Sequence, residues 1–166
     1  MKPWDTTSWN VVGASVQGTS HQQNDDVPCQ DAHGYRVLLN GVIVIAVADG
    51  AGSATRSDEG AQRAVKQALD SLERDLAYDV PRIKSGWQRL MTAAFRQARE
   101  SIVKFARWED ASARDFAATL TCAVIFDKGL AVGQIGDCLA VAQEKWSDEL
   151  FIATQLQRGE IGRAHV

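Results

Sequence analysis

The order of elements along the chain predicts an α+β domain built on antiparallel sheets. Three observations carry that prediction. Short extended runs occupy both ends of the sequence, two long helical periodicities fill its middle, and the extended runs are joined by tight turns instead of helical crossovers.

In order, residues Asn10 to Gln17 alternate enough to form a first strand, and the polar stretch from Gly18 to Gly34, which carries Pro28, reads as a loop or as strand ends around one. Tyr35 to Leu39 and Val42 to Ala48 read as two strands joined at Asn40-Gly41, a dipeptide whose members both accept positive φ and so favour a hairpin. After the acidic, glycine-rich turn Asp49 to Ser53 the period changes. Ala61, Ala64, Val65, Ala68, Leu69, Leu72 and Leu76 recur at three- and four-residue steps and form the apolar stripe of a helix. Ser57 is placed to cap it, with Asp58 and Glu59 at the positive end of its dipole. A second helix is expected to start near Pro81, with Ile83, Trp87, Leu90, Met91, Ala94, Phe95, Ala98, Ile102 and Phe105 on its apolar face. Ala117 to Phe126, Leu130 to Ile135, Cys138 to Ala142 and Phe151 to Thr154 then return to extended patterns.

The 166 residues fit one domain with a proper core, and 45% apolar with 23% charged residues is ordinary globular composition. The most apolar run, Val42 to Ala48, falls far short of the roughly 20 residues a membrane span requires. Without a secretory signal at the N-terminus, the expected location is cytoplasmic, with no membrane association. A net charge of −3, with 18 basic residues dispersed along the chain, excludes a nucleic-acid partner from the expectation. Cys29, Cys122 and Cys138 are too far apart for a zinc pair and read as buried thiols in a reducing compartment.

Three aspartates stand at strand ends or in loops: Asp31 after Pro28-Cys29-Gln30, Asp49 before Gly50, and Asp137 after Gly136. Carboxylate oxygens suit hard divalent cations, and an adjacent glycine lets the backbone come close to an ion or its waters. Taken singly, an Asp-Gly pair is also ordinary turn chemistry, so a plain α+β domain whose acidic turns are only turns stays open. Order adds weight: VIVIAVADGAGS is followed by a helix opening SDEGAQRAV, a strand AATLTCAVI and then GQIGDCLAV.

On these motifs the chain resembles the metal-dependent serine/threonine protein phosphatases of the type 2C class, over nearly everything from Asn10 to about Ala142. The corresponding pieces are Asp31 in CQDAHG, Asp49-Gly50 in ADGAGS, Thr119 and Thr121 in AATLTCAVI, and Gly136-Asp137 in IGDCLAV. The resemblance implies an antiparallel β-sandwich flanked by helical pairs, in α-β-β-α layers, incomplete in this chain. It implies hydrolysis of phosphoserine or phosphothreonine in proteins, opposing a serine/threonine kinase, by water activated between two Mn²⁺ or Mg²⁺ ions. Asp49 would bridge the ions as the central catalytic and metal-binding residue, the Gly50 carbonyl would reach one of them, and Asp31 would sit beside the pair. Asp137 matches a position serving a further, weaker metal.

The chain departs from the pattern in places. Many relatives carry a phosphate-binding arginine before the first acidic motif, where this chain reads GTSHQQNDDVPCQD; His21 or Gln22 is the available substitute. Asp25, Asp26 and Arg56 read as solvated surface charges, and Cys138 stands where the family has serine. The family's two later aspartates, in Asp-Gly and Asp-Asn motifs, have no counterpart after Asp137. The last seven residues, EIGRAHV, match one reading frame of a sequencing adapter, so 160–166 is expected to be a non-native tail behind a partial domain, 1–159. Such a chain is expected to lack activity by itself and to leave sheet edges and helix faces uncovered. The alternative is a phosphatase-like domain that binds a partner or phosphoprotein without turnover.

Overall fold

A computed structural model describes residues 9–16, 28–127, 129–143 and 147–154. Strands β1 (Ala32–Val37) and β2 (Ile43–Ala48) come first, then helices α1 (Ser57–Leu76) and α2 (Lys84–Trp108), a 3₁₀ turn (Ala113–Phe116), and strands β3 (Leu120–Phe126), β4 (Gly129–Ile135), β5 (Val141–Gln143) and β6 (Leu150–Ile152). Strands β1-β2-β3-β4 form one antiparallel sheet in that order, and β5-β6 form a separate ribbon. The α+β class with antiparallel sheets is therefore as the sequence predicts.

The pleat divides the large sheet cleanly. Val44, Ala46, Ala48, Leu120, Cys122 and Val124 alternate onto one face and join the buried core with the helices. All seven expected stripe positions of α1 are buried. From α2 come Met91, Ala94, Phe95 and Ala98, each at most 5% exposed. Gly34 and Gly133 mark where helix and sheet come closest: a Cβ at Gly34 would lie 2.9 Å from a Leu69 methyl, and one at Gly133 3.0 Å from the Phe95 ring. Trp87 stacks on Phe126 at 4.7 Å and closes the far end of the core.

The opposite sheet face carries Tyr35, Val37, Val47 and Leu130, all exposed. Uncovered apolar surface thus lies on the sheet; the α1 stripe is buried, while Trp87, Leu90, Ile102 and Phe105 of the α2 face are only partly covered.

Several boundaries differ from the sequence reading. Asn10–Val16 belong to no strand, since alternation alone supplies no ladder partner, and Gln17 lies outside the described residues. Strand β1 begins three residues early, at Ala32, and stops at Val37 because the hairpin loop claims Leu38 and Leu39. Leu38 N–H donates to Val42 O at 2.8 Å and Gly41 N–H to Leu38 O at 2.9 Å, and among the loop residues only Gly41 has positive φ, at 85°. That is a three-residue loop with a glycine bulge instead of a two-residue Asn-Gly turn. Asn40 instead donates through Nδ2 to Leu76 O at 2.8 Å, satisfying a carbonyl at the end of α1.

Arg56, not Ser57, stands at the N-cap position of α1 and makes no side-chain cap bond there; Ser57 is the first helical residue, completely buried. Helix α2 starts at Lys84, three residues past Pro81, because Ile83 keeps an extended backbone. β5 and β6 are three residues each, shifted from the expected spans. No helix among the described residues is long and apolar enough to cross a membrane.

Candidate functional site

The site forms where the β1-β2-β3 ladder ends. Ala32 faces Ala48 and His33 faces Val47, so the next rung sets Asp31 opposite Asp49. The pairing does continue there: Gly50 N–H donates to Gln30 O at 3.1 Å. Because side chains alternate, Asp31, His33, Val47 and Asp49 share the sheet face away from the helices.

Asp49 is held by its backbone from the other side. Its N–H donates to Thr119 Oγ1 at 2.8 Å, while Thr119 N–H donates to Asp49 O at the same distance. Gly50 bridges Ala118 and Ala51 N–H donates to Ala117 O, so the two segments remain zipped after β2 has ended. A Cβ at Gly50 would lie 2.7 Å from Gln30 O and 2.9 Å from Ser57, so only glycine fits between the β1 lead-in and the start of α1.

The third aspartate approaches from the β4 end. Gly136 has φ 99°, and a Cβ there would meet Thr119 Cγ2 at 2.5 Å. The buried Gln134 shapes this bend by donating through Nε2 to Gly136 O and Cys138 O, both at 2.7 Å. Cys138 Sγ lies 3.2 Å from Thr119 Oγ1, so one hydroxyl joins the Asp49 backbone to the Asp137 turn. Of the three cysteines expected to be buried, only Cys122 is. Burial pushes its thiol up to about 12, whereas Cys29 and Cys138 are partly exposed because both lie in loops beside the site.

Asp49 is solvent-exposed by area, yet its carboxyl is raised above the ordinary 3.8. The surrounding protein desolvates it, the Asp31 charge and a hydrogen bond to Asp31 add to the effect, and Asp137 contributes charge from farther away. No basic side chain forms an ion pair with Asp31, Asp49 or Asp137 among the described residues. Two carboxylates forced together without a counter-charge are the donor set that a hard divalent cation relieves. Thr121 Oγ1, buried on the same face with no hydrogen-bond partner, adds an unsatisfied oxygen nearby. Among the described residues, however, no three acidic, histidine or cysteine side chains come close enough to enclose an ion. The residues fit the beginning of a metal site.

A cavity of about 420 Å³ opens beside the pair, lined by Val12, Gly13, Ala14, Ser15, Asp31, His33, Val47, Ala48 and Asp49. His33, which the sequence reading passed over, is its imidazole; Ser15 Oγ lies 2.9 Å from His33 Nδ1. The signal was available, since His33 stands two residues after Asp31 and so on the same strand face. His21, the phosphate contact expected from sequence, lies outside the described residues. Arg56 is no free surface charge. It is bonded to Glu59 at 2.6 Å and Glu109 at 3.0 Å and lies over the Phe116 ring, because the 3₁₀ turn and the end of α2 converge on the start of α1.

Comparison with known proteins bears on the family and the fold. Serine/threonine-protein phosphatase 3 of Escherichia coli (strain K12) is 34% identical over 138 residues, covering 78% of this chain and 51% of that protein. Among solved structures, the serine/threonine phosphatase Stp1 of Staphylococcus aureus superposes with a TM-score of 0.53 at 17% identity, over 74% of this chain and 46% of that one. The serine/threonine phosphatase PstP/Ppp of Mycobacterium tuberculosis gives 0.52 at 20% identity, over 76% and 47%. The chain thus spans about half the length of the relatives it matches. The sequence family described as Protein phosphatase 2C matches residues 17–163, nearly the whole chain, and with the shared sheet-and-helix layers this shows that the chain belongs to the protein phosphatase 2C family.

Proposed function

We propose that this chain is the N-terminal part of a metal-dependent protein phosphatase that hydrolyses phosphoserine and phosphothreonine in the cytoplasm, opposing a serine/threonine kinase. The observation that carries the reading is the Asp31–Asp49 rung, two carboxylates paired without a cationic side chain at the end of a rigid ladder. In this reading Asp49, Asp31 and the Gly50 carbonyl hold Mn²⁺ or Mg²⁺, and Asp137 belongs to the outer edge of the same centre. The bound ions would supply a water acidic enough to attack phosphorus and positive charge for the phosphoryl oxygens. Thr119 fixes the Asp49 backbone, and the zipped Gly50–Ala118 segment keeps the turn from moving. His33 lines the cavity. In the tautomer whose Nδ1 accepts from the Ser15 hydroxyl, Nε2 carries the proton and would donate to a phosphoryl oxygen in place of the absent arginine.

This half-length chain holds too few ligands for two ions, so its own activity is expected to be negligible. The downstream part of the domain supplies the remaining carboxylates, with 160–166 as a non-native tail. The test measures Mn²⁺-dependent hydrolysis of p-nitrophenyl phosphate by the 166-residue chain and by the chain continued from the genomic sequence after Gly159. Activity only in the longer form, lost in Asp49→Asn, is the expected result. Activity in neither form, with phosphopeptide binding retained, would favour a binding domain without turnover, a reading that the missing arginine also favours.

A further inference from the structure

On the other side of the sheet from Asp49, a groove of about 740 Å³ runs between α1 and α2, lined by Arg63, Arg96, Glu100, Lys104, Phe105 and Trp108 among others. Its charge contrasts with that of the whole molecule. The chain carries a net −3, whereas α2 has six basic side chains, Lys84, Arg89, Arg96, Arg99, Lys104 and Arg107, against one acid, Glu100.

Four of the five acids of α1, all but Asp58 at its start, already have partners. Asp70 and Glu73 take Arg36, Lys66 also takes Asp70, Arg74 takes Asp75, and Glu59 takes Arg56. Arg96 and Lys104 have no ion pair among the described residues, although Glu100 stands four residues from each. Arg63 lies over the Phe105 ring, its Cζ 3.5 Å from the centroid, and its Nε is buried without a hydrogen-bond partner. Trp108, 79% exposed, stands at one end, and Gln97, bonded to Arg74 at 3.2 Å, stands at the other.

We propose that this groove is a docking surface for an acidic, extended peptide segment of a partner protein, with spaced carboxylates on Arg63, Arg96 and Lys104 and an apolar side chain against Phe105 and Trp108. From Arg96 to Trp108 the helix runs about 18 Å, the reach of about six extended residues. Charge complementarity selects the occupant. Three cations around an apolar floor suit a peptide, and Glu100 in their midst repels a continuous polyanion, whereas spaced carboxylates can pass it. A nucleic-acid backbone or an anionic bilayer would call for a broader, uniformly basic surface. This inference is independent of the phosphatase reading, since no residue of the acidic site takes part.

The test is fluorescence anisotropy of the full chain with a labelled Glu-rich peptide of about six residues carrying one central leucine. Binding is expected to weaken about tenfold or more in Arg96→Glu/Lys104→Glu and several-fold in Trp108→Ala. It should hold within about twofold in Arg89→Glu, which lies on α2 outside the groove, and all variants should melt like the parent because these side chains are exposed. The proposal is overturned if the Glu-rich peptide does not bind, or if its Gln-for-Glu counterpart binds equally well. It is also overturned if the double variant retains affinity, or if duplex DNA or phosphatidylserine vesicles compete as strongly as unlabelled peptide.

Discussion

Asp31 and Asp49 face each other on the rung that follows Ala32–Ala48, where the β1-β2 ladder passes into loops. Burial first, and then the neighbouring Asp31 carboxylate, hold the Asp49 carboxyl above the ordinary 3.8.

That raised value has a definite sign. Between 3.8 and its folded-state pKa, Asp49 binds more protons folded than unfolded, so stability is present below that window and declines as pH rises through it. Asp49→Asn removes the repulsion. Without metal at pH 7 the variant should melt higher than the parent by about a degree or two, and the gap should close as the pH is lowered to the ordinary carboxylate value. Differential scanning fluorimetry across pH, with EDTA, measures this; a lower melting point at pH 7 would contradict it. Adding Mn²⁺ should raise the parent's melting point and leave the variant's nearly unchanged.

Thr119 and Gly136 meet at one contact, and both hold the site's geometry. Thr119→Val strands the Asp49 N–H and should cost about 1–3 kcal/mol. Gly136→Ala puts a methyl at positive φ against Thr119 Cγ2 and should cost a similar amount, about 1–3 kcal/mol. Since the valine keeps the offending methyl, the double variant shows whether strain and lost hydrogen bond add; urea midpoints of the four proteins give the coupling.

Arg56 ties the first turn of α1 to the end of α2, and its guanidinium pKa is raised, first by the hydrogen bond to Glu59. Arg56→Ala should lower the melting temperature. Arg56→Lys should recover only part of it, because an ammonium cannot bond Glu59 through two nitrogens while covering the Phe116 ring. Equal melting of the lysine variant and the parent would show that charge alone matters.

Leu72 is fully buried between α1 and the sheet. Leu72→Ala should destabilise the chain by about 2–5 kcal/mol. Loss of cooperative urea unfolding would be the signature of a core that can no longer order both helices; a shift of the midpoint under that range would mean the cavity collapses.

The sequence by itself determined the helix stripe from Ala61 to Leu76, the strand Val42 to Ala48 and the acidic motifs, because periodicity is a local property that burial on one face imposes. It did not determine where strands stop. Leu38 and Leu39 have strand-like composition, but a loop hydrogen bond claims them, and Ser57 looks like a cap until the core swallows it. Only the tertiary structure decided that Asp31 stands across from Asp49, that Thr119 holds Asp49, and that His33 lines the cavity. Arg56 likewise looked like a surface charge in sequence, and its partner Glu109 is 53 residues away. Register and long-range convergence are non-local: they follow from how β1, β2 and β3 pair once the helices have covered one face, and residues so far apart in sequence carry no periodic mark of their meeting.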